Sequence, residues 1–145
     1  MTRKRIKILI GGVSSEATLY EDEAPLTVAA LWDRLPFVDR TIHVAWSGAA
    51  FRTEQNYPLR PAGARVENVR NHLEPGDIIF YPGHDVQLLK VGFCYGEADW
   101  LAPFGEKIDV ALIGRIDTNF PEFERVAQRV LPDGPMTFWV SQISG

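Results

Sequence analysis

The chain has 145 residues, of which 46% are hydrophobic and 11% aromatic, a size and composition that suit a single domain, residues 1–145, around one core. Fifteen Lys and Arg against nineteen Asp and Glu leave a net charge of -4, which repels a phosphate backbone and argues against a nucleic-acid partner. The lone cysteine, Cys94, excludes an intrachain disulfide and a cysteine-rich zinc site.

Short β-branched and aromatic runs closed by Gly, Pro, Asn or Asp dominate, the pattern of a barrel or sandwich with mostly antiparallel strands. In the first run, Arg5 to Ile10, Ile6, Ile8 and Ile10 alternate with polar positions, so Arg3, Lys4, Arg5 and Lys7 read as a solvated strand start rather than a targeting signal. Gly11, Gly12, Ser14 and Ser15 follow at once. No signal-peptide core fits there, and no run approaches the ~20 apolar residues of a membrane span, so the expected location is the cytoplasm. Glu16 to Tyr20 completes a hairpin.

Val28, Leu31, Trp32 and Leu35 repeat at helical spacing behind Pro25, and Pro36 ends that helix. Three acids before it, Glu21, Asp22 and Glu23, suit its N-terminal dipole. Thr41 to Trp46 reads as a strand with Ile42, Val44 and Trp46 on one face and His43 on the other, followed by Ala49 to Thr53. Residues 54–75, rich in Pro and Gly at first, carry no clear period. Asp77 to Tyr81 and Val86 to Tyr95 are strands around a Pro82–Asp85 turn, and Ile108 to Ile116 is a further buried strand. A second helix is expected from about Pro121 to Val130, with Asn119 and Glu122 as a capping box, and Met136 to Ile143 closes the sheet.

This order, together with the string ATLYEDEAPLTVAALWDRLP from Ala17 to Pro36, resembles the cyclophilin fold. Trp100 and Leu101 ahead of a strand containing Gly114 and Arg115 are similar to the same family's later segment. Gly76, Asp77 and the Tyr81, Pro82, Gly83 turn resemble small, mostly bacterial cyclophilin-like proteins of uncharacterised function. The resemblance implies a mainly β fold, a closed or nearly closed barrel with two helices. It also implies a kinship with the cyclophilin-like parts of allophanate hydrolase and oxoprolinase enzymes, which is an analogy of fold only.

Cyclophilins carry a Phe-His-Arg string whose guanidinium stabilises the twisted prolyl amide. The matching string here is Ile42, His43, Val44, so the fixed cation is replaced by valine, and the family's Gln-Gly-Gly-Asp string is missing after Phe51 and Arg52. Arg52 could reach the same space from the neighbouring strand. The pocket-type candidates are His43, Trp46, Arg52, Tyr81, His84, Gln87, Tyr95 and Trp100, although Trp46, like Phe51 and Phe93, reads as a core residue more than a ligand contact. His84 and Asp85 sit in a turn, where function concentrates. His43, by contrast, reads as exposed, and Arg115 with Asp117 as a pair on the barrel rim.

No HxH, HxxxH or HExxH spacing occurs, so no metal site and no cofactor are expected. A nucleophile elbow is missing too, and Cys94 reads as an inert buried thiol. These residues predict a barrel that binds a small polar or carboxylate-bearing ligand, with Arg52, His84, Gln87 and Tyr95 as polar contacts. The alternatives are a prolyl isomerase-like enzyme, an accessory subunit of an amide-hydrolysing enzyme, and a module that forms a homodimer through exposed aromatics.

Overall fold

The computed structural model describes residues 3–58, 66–81, 89–101 and 105–143. Among these the chain is mainly β. Its strands are β1 (Arg5–Ile10), β2 (Val13–Leu19), β3 (Phe37–His43), β4 (Gly48–Thr53), β5 (Val69–Arg70), β6 (His72–Leu73), β7 (Asp77–Tyr81), β8 (Lys90–Asp99), β9 (Val110–Thr118) and β10 (Thr137–Gln142). Helix α1 spans Pro25–Arg34, α2 spans Phe120–Ala127, and a single turn, α3, spans Val130–Asp133.

Eight of the strands run in the order β2-β1-β10-β3-β4-β8-β7-β9, and β9 pairs back onto β2, closing an antiparallel barrel. The short β5 and β6 attach outside this ring, to β9 and β8. The first hairpin is tighter than its sequence suggests: Gly11 and Gly12 alone make the turn, with φ of 55° and 77°, the positive angles that two-residue hairpins require and that glycine adopts without steric penalty.

Inside the barrel Phe51, Phe93 and Phe138 meet edge to face or stacked, with centroids 5.3–5.5 Å apart, and Phe123 of α2 reaches Phe51 at 6.0 Å. Each such ring contributes roughly 1.5–3 kcal/mol by leaving water. A second apolar cluster, including Val44, Ala50, Ile79, Cys94, Trp100 and Ile108, lies on the outer face of β4, β8 and β7. The sheet is therefore covered on both sides there, so its strands read as continuous apolar runs instead of clean alternation.

Several local expectations are corrected. Strand β3 starts directly after Pro36 and ends at His43, while Val44 to Ser47 form a turn closed by the Ser47 amide on the Val44 carbonyl at 2.8 Å. The three acids do not serve α1. Glu21 accepts from the Lys4 amide and ammonium, and Asp22 and Glu23 pair with Arg3, so the first two cations of the basic run are neutralised within the chain. The cap of α1 comes instead from Glu67, which accepts from the Leu26 and Thr27 amides and the Thr27 hydroxyl. Nor does Asn119 form a capping box: its backbone is left-handed, and its amide donates to the Ser14 carbonyl. Arg115 pairs with Asp77, its partner in register, and Asp117 pairs with Arg5. No helix among the described residues is long and apolar enough to cross a membrane.

Candidate functional site

Residues opposite one another in an antiparallel pair point to the same face, and alternate residues share it. The register pairs Ile42 with Arg52, Arg52 with Gly92, Gly92 with Ile79, and Lys90 with Tyr81. Arg52, Lys90 and Tyr81 therefore stand together on the outer face. Trp100 joins them. Its amide donates to the Asn71 carbonyl and its carbonyl accepts from Ile108, which fixes the indole over β8, where it is 2% exposed. A Cβ on Gly92 would lie 2.7 Å from Trp100 Cη2, so only glycine admits the ring this close. Tyr81 tilts toward it, with centroids 6.4 Å apart.

The two cations are unusually placed. Lys90 is 6% exposed, and its ammonium donates to the Glu54 carbonyl. One guanidinium nitrogen of the half-buried Arg52 donates to the Thr53 carbonyl at 3.0 Å. Neither cation makes an ion pair with a carboxylate among the described residues. Burial lowers the pKa of both, and the charge of Arg52 depresses Lys90 further, while the more distant Asp39 and Glu54 carboxylates offset only part of this. Two desolvated positive groups side by side favour an anion, because each loses hydration that an oxyanion would replace. Arg52 also retains guanidinium donors in a planar fork suited to a carboxylate.

His43 and Tyr95 occupy the other face. His43 is paired with Phe51, and Phe51 with Phe93, so Tyr95, two residues beyond Phe93, lies with His43 on the inner side. The His43 Nε2 and the Tyr95 hydroxyl are 2.6 Å apart. Trp46 is not a core residue: the strand ends at His43, and the indole stands in the turn beyond it, 44% exposed. The sequence-based candidates thus divide into an outer group of Arg52, Tyr81 and Trp100, an inner pair of His43 and Tyr95, and a solitary Trp46. His84 and Gln87 lie outside the described residues.

Lys90 was not legible in advance, since it opens an apolar run; its one signal is a lone charge before Val91 to Cys94. Cys94 is buried, and burial raises its thiol pKa, which keeps it protonated and unreactive. Side chains able to hold a metal gather elsewhere, at His72, Glu74 and Glu97. A separate groove of about 370 Å³ lies outside β1, β10 and β3, where Leu9, Trp139 and Val38 form an apolar row.

Among solved structures, McbB in complex with tryptophan is similar to this chain, with a TM-score of 0.71 and 19% identity over 97% of this chain and 45% of McbB. The chain therefore spans less than half the length of that protein. The hypothetical protein AF2241 from Archaeoglobus fulgidus is also similar, with a TM-score of 0.60 and 23% identity over 98% of this chain and 96% of the other. At these identities the likeness is one of fold. No curated protein matches the chain. The model of a family described as "Protein of unknown function (DUF3830)" matches residues 6–141.

Proposed function

We propose, for a chain that belongs to the DUF3830 family, that the outer face of the barrel binds a small carboxylate-bearing ligand. Its carboxylate lies at Arg52 and Lys90, and its body rests against Tyr81, whose ring is supported by the buried Trp100. The observation that carries this reading is the pair of desolvated cations that no carboxylate among the described residues contacts at ion-pair distance, the charges of Asp39 and Glu54 reaching them only from farther off. The same face carries Ile42, the register partner of Arg52, and Val44 in the turn after β3, the two positions that resemble the outer members of the cyclophilin catalytic string. McbB, which has been captured with tryptophan, contributes a precedent for a carboxylate ligand in a protein of similar fold, and no residue assignment.

A panel of small carboxylic acids, amino acids included, tests the proposal by thermal shift. A ligand at a hundred times its Kd stabilises by ~2.7 kcal/mol, which corresponds to a rise of several degrees in Tm for a domain of this size. The expected result is such a rise for a carboxylate and not for its amide, lost in Arg52→Gln with circular dichroism unchanged. If no acid shifts the wild type, or if the variant keeps the full shift, the proposal is wrong.

A second reading has one observation in its favour: Arg52 is the register partner of Ile42, so its guanidinium stands on the same face as Val44, one strand away from the missing catalytic arginine. A residual prolyl isomerase would then depend on Arg52. Accelerated cis-trans exchange of a proline test peptide, abolished in Arg52→Gln, is the result that supports it; exchange at the uncatalysed rate removes it.

A further inference from the structure

Strands β6 and β8 form a short antiparallel ribbon in which His72 faces Asp99 and Leu73 faces Ala98. Extending the register by one position sets Glu74 opposite Glu97. Leu73 and Ala98 are buried, so the alternate residues His72, Glu74, Glu97 and Asp99 share the solvent side.

The imidazole there is held in one orientation. Its Nδ1 lies 2.8 Å from Asp99 Oδ1, a hydrogen-bond distance. Its Nε2 is left facing Glu74 Oε1 at 3.4 Å and Glu97 Oε1 at 3.6 Å. Both separations exceed a good N–H···O bond of ~2.7–3.2 Å. They are close to the edge of a coordination tetrahedron, about 3.4 Å when its bonds are ~2.0–2.2 Å. All three ligand atoms lie within 4.8 Å of one another.

Charge points the same way. Three carboxylates surround one imidazole, which carries at most one positive charge, and among the described residues none of the three pairs with a lysine or arginine. Two glutamates opposed across a ribbon repel, and a dication between them removes that repulsion.

We propose that His72 Nε2, Glu74 and Glu97 form a binding site for a divalent transition metal, with zinc as the ion that best suits one imidazole nitrogen and two carboxylate oxygens and with water completing the tetrahedron. Asp99 is a positioning residue: it accepts from Nδ1–H, fixes the tautomer that presents the Nε2 lone pair, and raises the ligand's basicity. His72 and Glu97 lie on paired strands of the sheet, and Glu74 follows β6 directly, in a turn whose ends are tied by the Asp77 amide on the Glu74 carbonyl.

The test titrates metal-free full-length chain with zinc chloride in a calorimeter, with magnesium chloride as the comparison ion. The expected result is one saturable equivalent of zinc, no saturable magnesium, loss of zinc binding in His72→Ala, and affinity reduced 10–100-fold in Asp99→Asn. Because the four side chains are exposed, these variants keep the wild-type circular dichroism, and Arg52→Gln keeps zinc affinity. Wild-type affinity in His72→Ala, or uptake without saturation, overturns the site. Unchanged affinity in Asp99→Asn overturns the role of Asp99.

Discussion

His43 Nε2 and the Tyr95 hydroxyl lie 2.6 Å apart on the inner face of the barrel, while His43 Nδ1 is buried with no partner among the described residues. Either tautomer leaves that second nitrogen unsatisfied, so the pair is held by its surroundings at a cost and cannot readily accept another proton. Burial accordingly lowers the imidazole pKa from its ordinary 6.5. Since the unfolded chain protonates His43 at the ordinary value and the folded chain resists, the unfolded state binds more protons below about pH 6.5, and His43 makes stability fall as pH falls through that window. His72, raised by Asp99, titrates with the opposite sign, so the readout is a difference. Chemical denaturation at pH 7.5 and 5.5 should show a smaller loss, or a gain, on acidification in His43→Leu relative to wild type. An identical pH response in the two proteins would show that His43 does not carry the effect. Tyr95→Phe, which strands the other ring nitrogen, should cost ~1–3 kcal/mol.

Gly92→Ala tests the floor of the outer face. The new methyl would meet Trp100 Cη2 at 2.7 Å and Ile79 Cδ1 at 2.8 Å, so the indole must lift. Overpacking of this kind costs ~1–3 kcal/mol. Tryptophan emission should shift to the red and carboxylate binding should weaken. Unchanged emission together with unchanged stability would mean that the ring does not rest on this glycine.

Glu67→Ala removes all three bonds at the start of α1. Losing an N-terminal cap costs ~0.5–2 kcal/mol, and the loss should appear as a lower denaturation midpoint with an unchanged slope. Glu67→Gln should recover part of it through its remaining carbonyl oxygen. A midpoint equal to wild type in the alanine variant would deny the cap any energetic role.

Acid stability tests the pair of Arg5 and Asp117. Two guanidinium bonds at 2.9 and 3.0 Å, with the Thr18 hydroxyl at 2.6 Å, pull the Asp117 carboxyl down to about 2 from an ordinary 3.8. The folded pKa is the lower one, so the stabilisation is present above about pH 3.8 and disappears as pH drops toward 2. The carboxylate is 40% exposed, and solvent screening reduces the effect to on the order of 1 kcal/mol. Asp117→Asn should lose that amount at pH 7, and its curve should converge with the wild type below pH 3. A constant offset down to pH 2 would assign the loss to packing.

The strand and helix pattern was legible because alternation and helical spacing are local signals. Alternation separated His43 from Ile42 and Val44 correctly, yet it could not say which side was inward. The apolar row Ile42 and Val44 belongs to the outer face, whose covering includes Trp100 and Ile108, while Asp39, Thr41 and His43 point inward. A sheet buried on both sides removes the contrast on which such a reading relies. The same double burial hid Lys90. Pairings across long stretches of chain, Arg3 with Glu23, Glu67 with Thr27, His72 with Asp99, leave no mark at short range, which is why residues 54–75 carried no readable period yet supply both a helix cap and the His72 cluster.

The junction of β2 with β9 has a kinetic consequence. Ala17 finds Ile116, and Ile8 finds Val140, so the hairpin of β1 and β2 has neighbours on either side that lie far along the chain from it. Contacts this remote in sequence slow the search for the native state toward milliseconds to seconds, and until they form, the hairpin presents bare strand edges to other molecules. The hairpin of β1 and β2 is therefore the part of the sheet most vulnerable to mispairing until Ile116 and Val140 have docked on it.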